Sequence, residues 1–290
     1  MLKEFEYHRP HTLKEALKML NTYEDSCRII AGGTDVIVQI RSKGQAPKHL
    51  VSLRKLHDDL GILEETKDGL NIGALTTHRQ LEKLPLIRKK YSALYDGVSQ
   101  VGSVQIRNVA TLGGNICSSL PSADSAAPLL VLGAKLIVIG DSEEIIDIDK
   151  FFKGPGKNIL KPNQILKSIY IPSIMENSGS AYEKLGRRQA MEIPLLGAAA
   201  YIQIDKDTGR CIEARIALAS SAPTPIRCYE AEKALKKQPA VDKVFQKVGK
   251  IAGQEASPRT SFRATEEYRR SVIPVVVERA LQTAFSRINN

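Results

Sequence analysis

Tryptophan is absent from this 290-residue sequence, and aromatic residues make up only 5% of it. So thin an aromatic complement offers no stacking platform for bases. The 42 lysines and arginines, which leave a net charge of +10, are spread along the chain instead of forming an aromatic-interleaved basic block. Nucleic acid is therefore not the expected partner, and the positive field suits solubility or a ligand carrying phosphates. Cysteine is scarce too: Cys27, Cys117, Cys211 and Cys228 stand far apart with no CxxC pair, which excludes a locally written zinc knuckle or iron–sulfur centre. The five histidines, His8, His11, His49, His57 and His78, lack HxxxH spacing and read as surface or core residues, so no metal site is expected. No apolar run reaches membrane-spanning length, since the smoothest stretch, Ala126 to Gly140, is broken by Pro128, Gly133 and Lys135. The opening Met1, Leu2, Lys3, Glu4, Phe5, Glu6 has acidic residues where a secretory leader needs an apolar segment, so a cytoplasmic chain with no membrane partner is expected. Both standard phosphate motifs are missing as well: there is no GxxxxGK followed by Ser or Thr, and no GxGxxG between a strand and a helix.

What is present is an ordinary globular composition, 42% hydrophobic and 26% charged, in a chain long enough for two or three domains. It carries two glycine turns, Ala31, Gly32, Gly33, Thr34, Asp35, Val36 and Thr111, Leu112, Gly113, Gly114, Asn115. Adjacent glycines let backbone N–H groups approach a phosphate without an intervening Cβ, and the threonines add hydroxyl donors. Two such loops suit a pyrophosphate held from two sides.

The apolar spacing predicts a helix over Thr12–Asn21, a strand over Arg28–Ala31 running into the first turn, a helical or extended stretch through Val36, Val38 and Ile40, and a strand over His49–Leu53. Strands at Gly61–Glu65 and Leu70–Ile72 flank a turn at Lys67, Asp68 and Gly69. Thr77 and Gln80 form a capping box, and a helix over Tyr91–Val101 leads to the segment Gly102–Asn115. Strands follow at Ala134–Ile139 and Ile165–Ile171. Beyond a polar boundary at Ser173–Gly179 come strands at Ala181–Leu185, Ala198–Ile204 and Ile212–Ala219, then helices at Tyr229–Lys237, Val241–Ala252 and Ser271–Ile288. Strands followed by helices make an α+β pattern.

The blocks Ala31–Asp35 (AGGTD), Gln105–Asn115 (QIRNVATLGGN), Ser122–Pro128 (SADSAAP), Gly133–Leu136 (GAKL) and Arg263–Arg270 (RATEEYRR) occur in the order and spacing of a known family. Over essentially its whole length the chain resembles the FAD-binding medium subunit of the molybdenum hydroxylases, the xanthine dehydrogenase and carbon monoxide dehydrogenase family. The resemblance implies a two-subdomain FAD-binding fold of the PCMH type. Residues 1–56 would be an N-terminal αβ subdomain, 57–175 a central α+β subdomain, and 176–290 a C-terminal α+β domain of the carbon monoxide dehydrogenase flavoprotein type.

The same resemblance implies non-covalent FAD held by Ala31, Gly32, Gly33, Thr34 and Asp35 on one side and Ala110, Thr111, Leu112, Gly113, Gly114 and Asn115 on the other, with Arg28, Ile29 and Ile30 lining the approach and Gly102 close by. Asp124 matches an acidic position near the flavin, although helix N-capping is a rival role for it. Ile165 matches an apolar flavin contact. Lys184 matches a lysine that approaches the cofactor, where a fixed cation would favour the anionic reduced ring. Cys117 reads as inert packing, and Arg187, Arg188, Arg263, Arg269 and Arg270 as solvated or paired. The implied activity is an oxidoreductase relay. A molybdopterin subunit takes electrons from the substrate, a two-iron, two-sulfur subunit carries them, and FAD passes them to NAD, in a dimer of heterotrimers. The missing cysteine-bearing insertion and the segment Phe151–Lys157 point to the purine-oxidising branch, with nicotinate and carbon monoxide dehydrogenases open. A stand-alone flavin oxidoreductase is the rival class, and the lack of a histidine beside either glycine loop argues against a tethered flavin there.

Overall fold

The computed structural model describes residues 4–43 and 46–289; Met1, Leu2 and Lys3, read above against a leader, lie outside them. The chain opens with β1 (Glu6–His8), α1 (Leu13–Tyr23), β2 (Cys27–Ile30), α2 (Val36–Lys43) and β3 (His49–Ser52). Its strands form a parallel sheet of order β1-β3-β2. The Thr12 hydroxyl accepts the Glu15 N–H at 3.2 Å and starts α1, which buries Ala16 and Leu20. The stretch after the first glycine turn is helical: Ile40 is buried and Val38 lies 59% exposed, a split that a helical period produces and strand alternation of Val36, Val38 and Ile40 cannot.

The middle of the chain holds α3 (His57–Leu60), β4 (Leu63–Thr66), β5 (Gly69–Gly73), α4 (His78–Lys83), α5 (Pro85–Lys90), α6 (Ser92–Ser99), α7 (Val104–Val109), α8 (Leu112–Ser118) and α9 (Ala126–Val131). Next come β6 (Lys135–Ile139), β7 (Glu143–Asp147), the small hairpin β8 (Phe152–Gly154) and β9 (Lys157–Asn158), and β10 (Ile165–Pro172). Strands β4-β5-β10-β6-β7 make one antiparallel sheet. The predicted capping box is present, Thr77 and Gln80 exchanging both bonds at the start of α4. The single helix expected over Tyr91–Val101 is only α6. Gly102 takes a φ of +50° after it, and Ser103 and Thr111 then cap two further short helices, α7 and α8. Strand β7 was not anticipated, because its Glu-Glu-Ile-Ile-Asp run lacks alternation; it is an edge strand with Ile145 exposed and acids at its ends.

The last part contains β11 (Ser178–Leu185), β12 (Leu196–Ile204), β13 (Cys211–Ala219), β14 (Ile226–Arg227), α10 (Tyr229–Leu235), α11 (Asp242–Glu255) and α12 (Glu266–Ser286). The strands pair antiparallel in sequence order. Helix α12 begins before the expected Ser271 because the Thr265 hydroxyl accepts the Tyr268 N–H at 3.1 Å and sets its start. Strand β12 is buried from Leu196 to Ile202, on both faces. Ala198, Ala200 and Ile202 pack toward α11 and α12, while Ala199 and Tyr201 join the core built around α6, α9 and β10. Small residues let the layers approach: an added Cβ on Gly179 would lie 2.1 Å from the Ala284 carbonyl of α12.

The free edge of β11 is covered by α6. Asp96 accepts the Tyr182 N–H at 3.0 Å, and Arg287 donates to both Asp96 oxygens at 2.6 and 3.0 Å and to the Ser180 carbonyl at 2.8 Å. Arg287→Ala is expected to cost about 1–3 kcal/mol in urea unfolding, because it strips charge-assisted bonds from a largely buried carboxylate. An unchanged midpoint would remove Arg287 from the account of this edge. Among the described residues, no helix is long and apolar enough to cross a membrane.

Candidate functional site

A cavity of about 650 Å³ lies where the first glycine loop meets the α7–α8 segment and β10. The loop leaves β2 at Ile30 and turns through Gly33, whose φ of +79° belongs to the left-handed region that favours glycine. It enters α2 so that Ile37 and Gln39 donate back to the carbonyls of Gly33 and Asp35. Among the described residues, the N–H groups of Thr34, Asp35 and Val36 donate no hydrogen bond, and they stand at the positive end of α2. Arg54 fixes this orientation. Its Nε donates to the Ala31 carbonyl at 2.9 Å and its Nη2 to the Gly32 carbonyl at 3.0 Å, and Arg54 itself is outside the cavity lining. Two of the loop's carbonyls are thus occupied by Arg54, and its unspent donors are of the kind that an anion would need. Arg54→Ala is expected to weaken FAD binding about tenfold, the worth of roughly one to two hydrogen bonds. Unchanged affinity in a fluorescence titration would show that the loop holds its shape unaided.

The second loop works differently from the sequence expectation. Leu112 donates its N–H to the Thr76 carbonyl at 2.9 Å, Gly113 to the Ala74 carbonyl at 3.0 Å, Gly114 to the Thr111 hydroxyl at 3.0 Å, and Asn115 to the Thr111 carbonyl at 3.0 Å. These N–H groups are spent inside the protein, so this loop is not a second amide cradle. What it offers is shape and side chains. The Asn115 Oδ1 accepts the Ser125 hydroxyl at 2.5 Å, leaving the Asn115 NH₂ as a donor.

The glycines themselves have distinct reasons. An added Cβ on Gly32 would stand 2.1 Å from the Val109 carbonyl oxygen, and one on Gly113 would stand 2.7 Å from the Ala74 carbonyl oxygen. Both are glycines because backbone packs on backbone there. Gly114 differs: among the described residues, and apart from its chain neighbours and its own helix backbone, the Thr111 hydroxyl at 2.9 Å is the one atom within 4 Å of its added Cβ. Its open side belongs to the cavity lining, a cradle that a side chain would fill.

Of the residues expected to bind the cofactor, Arg28, Ile29, Ala31, Gly32, Gly33, Thr34, Asp35, Gly102, Ala110, Thr111, Gly113, Gly114, Asn115, Asp124 and Ile165 all line this one cavity. Ile30, Leu112 and Lys184 do not. The Ile30 and Leu112 side chains turn into the core, where they are 6% and 0% exposed. Arg28 is held by Gln39, its Nη2 donating to Oε1 at 2.7 Å, and both residues line the cavity. Burial pushes the Asp35 carboxyl up, opposed by the nearby Ser118 hydroxyl and by the Arg28 charge.

Asp124 is not a helix cap, since no side chain caps α9 and its carboxylate is engaged elsewhere. Oδ1 accepts the Tyr182 hydroxyl at 2.9 Å and Oδ2 accepts the Lys184 ammonium at 2.8 Å. Lys184 Nζ also donates to the Gln100 carbonyl at 3.0 Å. Burial pushes the Asp124 carboxyl up to about 6, against the pull of Lys184 and Tyr182. This revises the expected fixed cation: Lys184 stands behind Asp124, and the cavity meets a carboxylate already neutralised by its buried partner. Cys117 also lines the cavity, and burial pushes its thiol up to about 12.

Sequence reasoning missed Arg54, Gln39 and the segment Met191, Glu192, Ile193, Pro194, which reaches the cavity from the β11–β12 connection and is tied to Gly102 by the Met191 N–H bond to its carbonyl at 3.0 Å. Met191 and Ile193 of this segment are exposed in the fold, and nothing local in the sequence says where a long connection lands. The cavity size lies within the range of small-molecule and cofactor sites, about 300–1,000 Å³. Free helix-start amides, the Asn115 amide and an unfilled side at Gly114 suit the pyrophosphate of a dinucleotide such as FAD.

Comparison with known proteins gives the family. Residues 3–174 match the model of the FAD binding domain in molybdopterin dehydrogenase, and residues 180–284 that of the CO dehydrogenase flavoprotein C-terminal domain. The chain is 35% identical over 280 residues to the xanthine dehydrogenase FAD-binding subunit of Escherichia coli O157:H7, covering 96% of this chain and 95% of that one. It is 33% identical over 241 residues to the nicotinate dehydrogenase FAD-subunit of Eubacterium barkeri, covering 81% and 80%. It superimposes on a chain of reconstituted CO dehydrogenase from Oligotropha carboxidovorans with a TM-score of 0.94, at 28% identity and 99% coverage of both. The chain belongs to the FAD-binding medium subunits of the molybdenum hydroxylases, an oxidoreductase family.

Proposed function

We propose that this chain holds FAD non-covalently in the cavity between its two glycine loops and serves as the electron-transfer subunit of a xanthine-oxidising complex, delivering electrons to NAD. The observation that carries the reading is the first loop, with Thr34, Asp35 and Val36 amides unspent and Arg54 occupying two neighbouring carbonyls. In this reading residues 1–56 and 57–175 form the two halves of the cofactor site and 176–290 a third domain. Thr34 to Val36 and Asn115 hold the pyrophosphate. Arg28, Ile29 and Ile165 wall the site, and Asp124 presents a carboxylate oriented by Tyr182 and Lys184. Bound there, FAD supplies the exchange between single-electron delivery and two-electron release. The chain's own part is to bind, orient and shield. Ile30 and Leu112 act beneath the loops as packing.

The partners are a molybdopterin-binding subunit and a two-iron, two-sulfur subunit, arranged as a dimer of heterotrimers. The free cysteines here are dispersed, two of them buried, which supports placing the clusters elsewhere. The xanthine assignment rests on the 35% identity to a xanthine dehydrogenase subunit over nearly the whole chain. It is tested by isolating the complex from its native host and adding xanthine, nicotinate or carbon monoxide anaerobically with NAD. NADH formation with xanthine alone is expected. Turnover with nicotinate or carbon monoxide instead would reassign the substrate, and turnover only with an artificial dye would remove NAD.

A further inference from the structure

We propose that Glu6, His8 and His49 form a binding site for a divalent transition-metal ion of the zinc type, separate from the cofactor cavity. His8 and His49 are 41 residues apart, so no spacing motif joins them; the sheet does. In the β1–β3 pairing Glu6 lies opposite His49, and His8, two residues along β1, projects from the same face. The three ligand atoms converge. His8 Nε2 is 3.1 Å from His49 Nδ1, Glu6 Oε2 is 3.2 Å from His49 Nδ1, and Glu6 Oε2 is 3.6 Å from His8 Nε2.

Four ligands about 2.0–2.1 Å from a tetrahedral ion stand about 3.3–3.4 Å from one another, so this triangle has the dimensions of one face of such a site. Hydrogen bonds alone fit it poorly. One proton between the two rings leaves the other ring's lone pair facing the carboxylate, at 3.2 Å if that ring is His49 and 3.6 Å if it is His8, and a proton from each ring toward Glu6 sets two N–H groups against each other. A cation satisfies all three edges at once. The rings are also held in place: Tyr23 stacks on His49 with centroids 3.8 Å apart at 14° and on His8 at 5.0 Å and 27°. Two imidazoles and one carboxylate leave the fourth position open to water, and none of the three residues lines the cofactor cavity. The ion would fasten β1, a three-residue edge strand, to β3.

The test uses the full-length, tag-free chain after chelator treatment, titrated first with Co²⁺ and then with Zn²⁺. One equivalent of Co²⁺ is expected to give the visible absorption of a tetrahedral nitrogen–oxygen site without thiolate charge transfer, to be displaced by Zn²⁺, and to be accompanied by a rise in Tm. The exposed Glu6→Gln and the half-buried His8→Gln should each bind Co²⁺ at least about tenfold more weakly while keeping the metal-free Tm and FAD content of the parent. Absence of saturable Co²⁺ binding, a thiolate signature, or undiminished binding in both variants would overturn the site.

Discussion

Gly32→Ala is expected to weaken FAD binding at least about 100-fold, or roughly 2.7 kcal/mol. The new methyl carbon would sit 2.1 Å from the Val109 carbonyl oxygen, 2.8 Å from its carbon and 3.0 Å from the Ala110 Cα. All three are backbone atoms at the end of α7, so no side chain can swing aside. The loop carrying the free amides must lift from the segment leading to Thr111. Gly154→Ala is the matched control, because an added Cβ there meets nothing within 4 Å among the described residues and its φ is not left-handed. Fluorescence titration with FAD should separate the two variants clearly. A Gly32→Ala protein that binds FAD within about threefold of the parent would contradict the close joint between the loops.

Lys184→Met is the second large effect, and its size depends on pH. Lys184 and Asp124 are paired at 2.8 Å with side chains only 6% and 8% exposed, so removing the ammonium leaves a buried carboxylate without its cation. Near neutral pH this should cost about 3–5 kcal/mol in denaturant unfolding. In the folded parent Asp124 ionises at about 6 against an ordinary 3.8. An acid whose folded value is raised contributes stability that is fully present below its unfolded value and is lost as the pH climbs through the folded one. Without Lys184 that folded value rises further, and the loss extends into the neutral range. The penalty of Lys184→Met should therefore shrink at about pH 5, where Asp124 is already protonated, and Asp124→Asn should recover much of it near neutrality. A penalty independent of pH would show that Lys184 stabilises by packing alone.

The first glycine loop was legible because its determinants are local: a strand, two glycines and a helix start within one short run of sequence. Thr77 with Gln80 and Thr12 were legible for the same reason, since a cap speaks to a backbone three residues away. The second loop lines the same cavity as the first, but its amides are spent inside the protein. Its amides are bonded to Ala74 and Thr76, which the sequence places far upstream of Gly113. Arg54 left no trace either, because its partners are main-chain carbonyls 22 and 23 residues back, and a carbonyl has no sequence identity. Asp124 and Lys184 were both singled out, but their pairing across 60 residues, which turns a cofactor-facing cation into a support for a carboxylate, belongs to the tertiary fold. Strand β7 escaped because an exposed edge needs no alternation, and α12 was started late because Thr265, its true cap, precedes the apolar run.

The central claim is that the two loops enclose one FAD. Titrating the purified chain with FAD, and then recording the absorption spectrum after gel filtration, tests it most directly. The account predicts flavin absorption bands travelling with the protein at one FAD per chain and released on denaturation, as a non-covalent cofactor must be. A protein peak that carries no flavin after incubation with excess FAD would contradict it.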